Sequence, residues 1–220
     1  MHRFVWDLHY ALPKEVRRSY WGPAGPMAVP GNYIVKLTAN GKSSTQPLTI
    51  KLGPRVKTPQ DALARQFSLA SKLAARLGEV SVALQQAGDL RKQIDARKKE
   101  ASSNAELLSA WEELEKKLEA ATEADRDGGF GLFGLAAPGK EREPLSKVVA
   151  ALTGLLTVVD SSDLGPGADA AIASERWEEA AQETLAEWET FKKEDLASVN
   201  ALLRKANLKP LNFAESSAPQ

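Results

Sequence analysis

Chemistry in this chain would have to come from carboxylates, two histidines and aromatic rings, because the 220-residue sequence has no cysteine. That removes disulfides, zinc–thiolate sites and thiol nucleophiles together and leaves the redox compartment open. His2 and His9 have opposite parity in an extended N-terminal segment, so they would face opposite sides, and neither has metal-ligand spacing. Gly128-Gly129-Phe130-Gly131 is glycine-rich, but no Lys-Ser/Thr follows it and no strand precedes it, so it reads as a flexible loop. There is no G-x-S-x-G nucleophile elbow. Glu175–Glu179 and Glu112–Glu115 are carboxylate pairs at helical spacing; a glycosidase would need such a pair about 5 to 9.5 Å apart across a sugar cleft. The same spacing describes any solvated helix face. Of five tryptophans, Trp111, Trp177 and Trp188 fall on apolar stripes and are predicted core residues. Trp6, Tyr20 and Trp21 remain as candidate carbohydrate contacts. No catalytic constellation, metal site or cofactor site is expected.

The elements that would position these residues are a small β module and a run of helices. Phe4, Trp6 and Leu8 alternate with Arg3, Val5, Asp7 and His9 and predict a first strand. Residues 11–32 carry four prolines and three glycines, which predicts an irregular connection. Tyr33, Val35 and Leu37, and then Leu48, Ile50 and Leu52, alternate with polar residues and predict two half-buried strands. Asn40-Gly41 between them supplies the positive φ of a tight turn. Pro54 and Pro59 end strand pairing, and Thr58-Pro59 predicts a helix start with Thr58 as N-cap and Pro59 at the first helical position.

The first helix is predicted from Thr58 to about Lys99 on a stripe that includes Leu63, Phe67, Leu73, Leu77, Leu84 and Ile94. Gly78 and Gly88 each weaken it by about 1 kcal/mol relative to alanine, which leaves room for a bend at Gly88. Ser103-Asn104-Ala105-Glu106 reads as a capping box before a second helix with the seam Leu107, Trp111, Leu114, Leu118 and Ala121. Residues 127–142 contain five glycines and predict a loop. A third helix from Pro144 carries Leu145, Val148, Leu152, Leu155 and Val159. After the break at Asp163–Gly167 a fourth carries Trp177, Ala181, Leu185, Trp188 and Phe191, and a short last helix runs from Asp195 to Ala206. Short breaks imply antiparallel neighbours. The expected architecture is α+β and mainly α: residues 1–57 a β module, 58–213 an antiparallel bundle of about four helices, 214–220 a disordered tail.

Composition excludes little else. Hydrophobic residues make up 43% and charged residues 26%, ordinary for a globular domain. The N-terminus lacks the basic and apolar regions of a signal peptide. No stretch approaches the roughly 18 apolar residues of a membrane span, so no membrane partner is expected. Net charge is zero, yet residues 1–57 hold nine Lys/Arg against two Asp/Glu, while residues 143–220 hold seven against thirteen. The basic end could bind a polyanion, or pair with the acidic last helices while its lysines guard a sheet edge. Its cations are scattered and not clustered on one helix, so nucleic acid is not an expected partner.

Arg3-Phe4-Val5-Trp6-Asp7-Leu8, the Val29-Pro30-Gly31-x-Tyr33-x-Val35-x-Leu37 strand, Thr45-Gln46-Pro47-Leu48-Thr49-Ile50 and Pro54-Arg55-Val56 resemble the C-terminal region of bacterial BNR-repeat, sortilin-like (VPS10-type) glycosyl-hydrolase-like proteins. Asp195-Leu-Ala-x-Val-Asn200-x-Leu-Leu-Arg204 and Leu208-x-Pro210-Leu211 resemble that family's terminal helix, so the resemblance covers nearly the whole chain. It implies that residues 1–57 are a partial Ig- or fibronectin-like module and that the parent is secreted or periplasmic. In the family a β-propeller precedes this module, and any hydrolase activity would belong to it. This sequence has no S-x-D-x-G-x-x-W repeat, and no catalytic residue carries over. The expectation is therefore a fragment: a non-catalytic C-terminal accessory region whose partners are the missing propeller or another protein surface, with self-association through an incompletely covered sheet. A carbohydrate-binding module using Trp6, Tyr20 and Trp21 is the alternative, and carboxylate catalysis in the bundle is a third reading.

Overall fold

The computed structural model describes residues 3–16, 24–101, 104–122, 138–139 and 142–213. The chain is α+β and mainly helical: a two-stranded antiparallel sheet, β1 (Gly31–Ala39) and β2 (Lys42–Ile50), precedes a bundle of α1 (Gln60–Ala101), α2 (Ala105–Thr122), α3 (Leu145–Asp160), α4 (Ala168–Phe191) and α5 (Ala197–Lys205). A π-turn over Lys192–Leu196 joins α4 to α5 without a break. The predicted separate last helix is thus a continuation of α4, widened by one turn, as π-turns are within helices.

The apolar stripe of α1 buries Leu73, Leu77, Val80, Leu90 and Ile94 in one core with Trp111 and Leu114 of α2, Leu152 and Leu155 of α3, and Trp177 and Trp188 of α4. All three bundle tryptophans are buried, as their stripes predict. Side-chain bonds set the directions. The Gln66 amide near the start of α1 donates to the carbonyls of Val159 and Ser162 at the end of α3 (2.7 and 2.8 Å), so these helices are antiparallel. Arg76 meets Glu178, and Gln86 accepts from the Trp188 indole (3.1 Å), so α4 runs parallel to α1. Glu178 is buried and takes two bonds from Arg76 on one oxygen, at 3.0 and 2.6 Å. Burial alone would raise its carboxyl; the hydrogen bonds and charge of Arg76, aided by Gln182, hold it below the usual glutamate range. At the far end the Asn200 amide pairs both ways with the backbone of Leu211 (2.9 and 2.7 Å), and Gln93 does the same with Asn212 (2.7 and 3.2 Å). These clamps bring Phe213 edge-on to Trp188 at 5.9 Å.

Several local expectations are corrected. Thr58 does not cap α1: its hydroxyl donates to the Asp163 carbonyl, and the Pro59 carbonyl takes the first helical bonds from Ala62 and Leu63. The hydroxyl thus binds a distant carbonyl and not a local N–H donor, and α1 begins at Gln60. The start of α2 is capped by Asn104, whose Oδ1 accepts from Leu107 N–H (3.2 Å), one residue later than the capping-box register. The N-terminal strand does not form. Leu8 adopts a left-handed φ of 66°, the Trp6 indole donates to the His9 carbonyl (2.8 Å), and only a single bridge, His9 to Met27, remains. Residues 10–16 instead lie against the helices, with the Tyr10 ring 5.3 Å from that of Phe67, Val16 in the core and Leu12 against it. Of the predicted loop at 127–142 only residues 138–139 and 142 are described, and they are in neither helix nor strand; the tail at 214–220 lies outside the described residues.

Two α1 glycines differ in their surroundings. A Cβ on Gly78 would sit 2.7 Å from Pro13 Cγ, a ring atom that cannot swing away, whereas one on Gly88 would meet nothing within 4 Å. Gly88→Ala should raise stability by about 0.5–1 kcal/mol through helix propensity. Gly78→Ala should lower it, because Pro13 must lift from the helix. Chemical denaturation of both variants measures the two signs; a gain for both would show that residues 10–16 are not seated on α1.

Candidate functional site

Two places outside the tight core combine access with chemistry: the hairpin and the cavity at its root. The hairpin turn is local in origin, with Asn40 at φ 49° and Gly41 at φ 75°, as the Asn-Gly pair predicts. Pairing runs from Gly31↔Ile50 to Ala39↔Lys42, with Tyr33 opposite Leu48 and Ile34 opposite Pro47. Its root is half-buried at Tyr33, Leu48, Ile50 and Leu52, but beyond it no described residue covers either face. Ile34, Val35 and Leu37 are 75, 50 and 68% exposed, and nearby Phe4 and Val5 are 90 and 69% exposed. The two half-buried strands of the sequence reading are therefore buried only at their root, and helices cover less of the sheet than partial burial along its length would need. Both outer edges are open among the described residues.

At the root, a cavity of about 220 Å³ lies between the hairpin, residues 27–30, α1 and the end of α3, walled by Leu8, Met27, Ile50, Leu52, Leu63 and Phe67. Its polar corner is Asp160. One carboxylate oxygen accepts the Met27 N–H (3.0 Å), and the other lies 3.2 Å from His9 Nε2. His9 Nδ1 is 3.0 Å from the Asp7 carbonyl, so both ring nitrogens face oxygen. Burial pushes the Asp160 carboxyl above the usual aspartate range, against the opposing bond from Met27 and the charge of His9. Held on both sides, His9 ties the N-terminal segment to the end of α3. Gly25 shows how closely this loop is laid down, since a Cβ there would fall 1.7 Å from the Tyr10 carbonyl oxygen.

The residues singled out by sequence fall apart in space. Trp6 is half-buried, its N–H is used by His9, and its ring meets Tyr33 edge-on at 6.0 Å. Tyr20, Trp21, His2 and the glycine run at 128–131 lie outside the described residues. Glu112, Glu175 and Glu179 are exposed on helix surfaces, and Glu115 is half-buried. A larger cleft between α2 and α4 holds Lys117, Arg142, Glu187 and Asp195, whose charges pair as Lys117–Asp195 and Arg142–Glu187, both 2.6 Å. Among the described residues no group of three His, Asp or Glu side chains could hold a metal ion. No described helix is long and apolar enough to cross a membrane. Sequence reasoning missed Asp160 and Glu178, and the only hint was an acidic residue closing the apolar run Leu155-Leu156-Thr157-Val158-Val159. No family model, no curated protein and no solved structure matches this chain.

Because the native state holds the Asp160 proton to a higher pH than the unfolded chain does, its contribution favours the native state in acid. That contribution is lost as pH rises through the elevated value. Asp160→Asn keeps an acceptor for Met27 and removes the titration. The stability of the natural chain minus that of the variant should therefore be largest at low pH and decline as pH rises. A difference that grew with pH would mean that the His9 contact outweighs burial.

Proposed function

We propose that this chain is a non-catalytic accessory region whose helical bundle presents the β1–β2 hairpin to another protein surface, in the manner expected for the C-terminal part of a BNR-repeat glycosyl-hydrolase-like protein. One observation carries the reading: Ile34, Val35 and Leu37 stand exposed on a two-stranded sheet beside a bundle that buries its own apolar stripes thoroughly. A lone hairpin is marginal in water, and three or more strands or a covering layer give a β module independent stability. Clustered exposed apolar side chains at an open edge are what a protein contact would consume. Segments that carry the family resemblance also have structural work consistent with it. Asn200 and Leu211 clamp the C-terminal segment, and residues 29–37 and 45–50 build the hairpin. Carbohydrate stacking is less well supported, since the Trp6 ring and N–H are already engaged within the chain.

The test pairs Val35→Asp with Leu37→Asp. Both side chains are exposed, so the double variant should melt within about 0.5 kcal/mol of the natural chain. It should lose sedimentation-detected association with a BNR-repeat propeller polypeptide from the same genome, while the natural chain associates. Turnover of an aryl glycoside by the chain alone, or a loss of several kcal/mol in the double variant, would overturn the reading.

A further inference from the structure

We propose that β1, and not β2, is the docking edge, and that it takes an extended acidic segment of another polypeptide as a third strand; this deepens the interaction-region reading and rests on it. The hairpin register decides which backbone groups face outward. A two-residue turn with positive φ at Asn40 and Gly41 makes Ala39↔Lys42 a hydrogen-bonded pair. Alternation then makes Leu37↔Ser44, Val35↔Gln46 and Tyr33↔Leu48 hydrogen-bonded as well. The pairs Thr38↔Ser43, Lys36↔Thr45, Ile34↔Pro47 and Asn32↔Thr49 point their N–H and C=O groups away from the partner strand. Side chains approach closest across such non-hydrogen-bonded pairs. Two contacts agree: Thr38 Oγ1 is 2.8 Å from Ser43 Oγ, and Thr49 Oγ1 donates to Asn32 Oδ1 at 3.0 Å.

The two edges are not equivalent. On β2 the outward set includes Pro47, which has no N–H, so the edge is broken at its middle. On β1 the outward set is Asn32, Ile34, Lys36 and Thr38, an unbroken row of donors and acceptors, and none of the four bonds elsewhere through its backbone among the described residues. That row spans about 20 Å, the length of roughly seven extended residues. An added strand would set its alternate side chains beside Val35 and Leu37 on one face and beside Ile34 and Lys36 on the other.

Charge selects the occupant. Residues 29–57 hold five Lys/Arg and no Asp/Glu. A second copy pairing edge to edge would bring two such cationic hairpins together, and like charges across strands are unfavourable. A segment that alternates carboxylates with apolar residues satisfies the Lys36 face and the Val35–Leu37 face at once, which is how strand addition combines main-chain affinity with side-chain selectivity.

The probe is a labelled nine-residue peptide alternating glutamate with valine, titrated by fluorescence anisotropy against the intact chain at low salt, beside a peptide with lysine at every glutamate. The glutamate peptide should bind, and the lysine peptide should bind at least about tenfold more weakly. Ile34→Pro deletes one outward donor without touching the β1–β2 ladder and should weaken binding about tenfold, while Thr45→Pro on the β2 edge should leave it within about twofold. Amide exchange on the natural chain gives an answer independent of either variant: bound peptide should protect the Ile34 and Lys36 amides and leave Thr45 and Thr49 unchanged. No binding of the glutamate peptide, equal binding of the lysine peptide, protection on β2 in place of β1, or dimerisation through β1 would overturn the inference. If it fails in any of these ways while Val35→Asp/Leu37→Asp still abolishes propeller association, only the edge assignment falls; loss of both removes the interaction-region reading too.

Discussion

Burial along one face of α1 is the constraint on which the rest of this protein depends. Forty-two residues of helix extend about 63 Å, and in a protein most helical stability comes from packing of the apolar face. The other helices supply that packing in sections. α3 and α4 flank it from Gln66 through Arg76 to Gln86, while α2 and the C-terminal clamps flank the part that holds Leu90, Gln93 and Ile94. Even the irregular N-terminal segment is laid on α1, where Gly78 makes room for Pro13.

Polar groups near this core act as fasteners between elements that apolar contact alone would leave free to slide. Gln66 and Thr58 tie the start of α1 to the α3–α4 connection. Arg76 and Glu178 fix the register of α1 against α4, at the cost of a buried carboxylate held ionised by its partner. Asn200 and Gln93 each engage a backbone amide from both sides, which satisfies donor and acceptor together. His9 and Asp160 do the same work for the loop at the hairpin root.

The hairpin lies outside this system of constraints. It is rooted through Tyr33, Leu48 and Ile50, and from there outward the described residues put no layer over either face. Natural sheets blunt open edges with proline or charge. Here Pro47 protects β2, and Lys36 is the single charge facing the β1 edge. One guarded edge and one merely charged edge leave a directional surface, selective by sign.

Local physics made much of this legible in the chain itself. The Asn40-Gly41 turn follows from the positive φ that those residues tolerate, and the α1 stripe and the burial of Trp111, Trp177 and Trp188 follow from helical periodicity. The candidate site was less legible. Alternation at Tyr33, Val35 and Leu37 says which side chains share a face, not whether anything covers that face, and the exposure of the hairpin is a tertiary fact. The alternation of Phe4, Trp6 and Leu8 predicted a strand, but the left-handed Leu8 and the Trp6–His9 bond turn this segment out of the extended conformation that pairing needs. Thr58 and Asn200 chose partners 105 and 11 residues away. Asp160 gained its role from Met27 and His9, which only folding brings near. Sequence determined what depends on neighbours along the chain; tertiary structure decided every choice in which a distant acceptor, an uncovered face or a buried charge competed with a local preference.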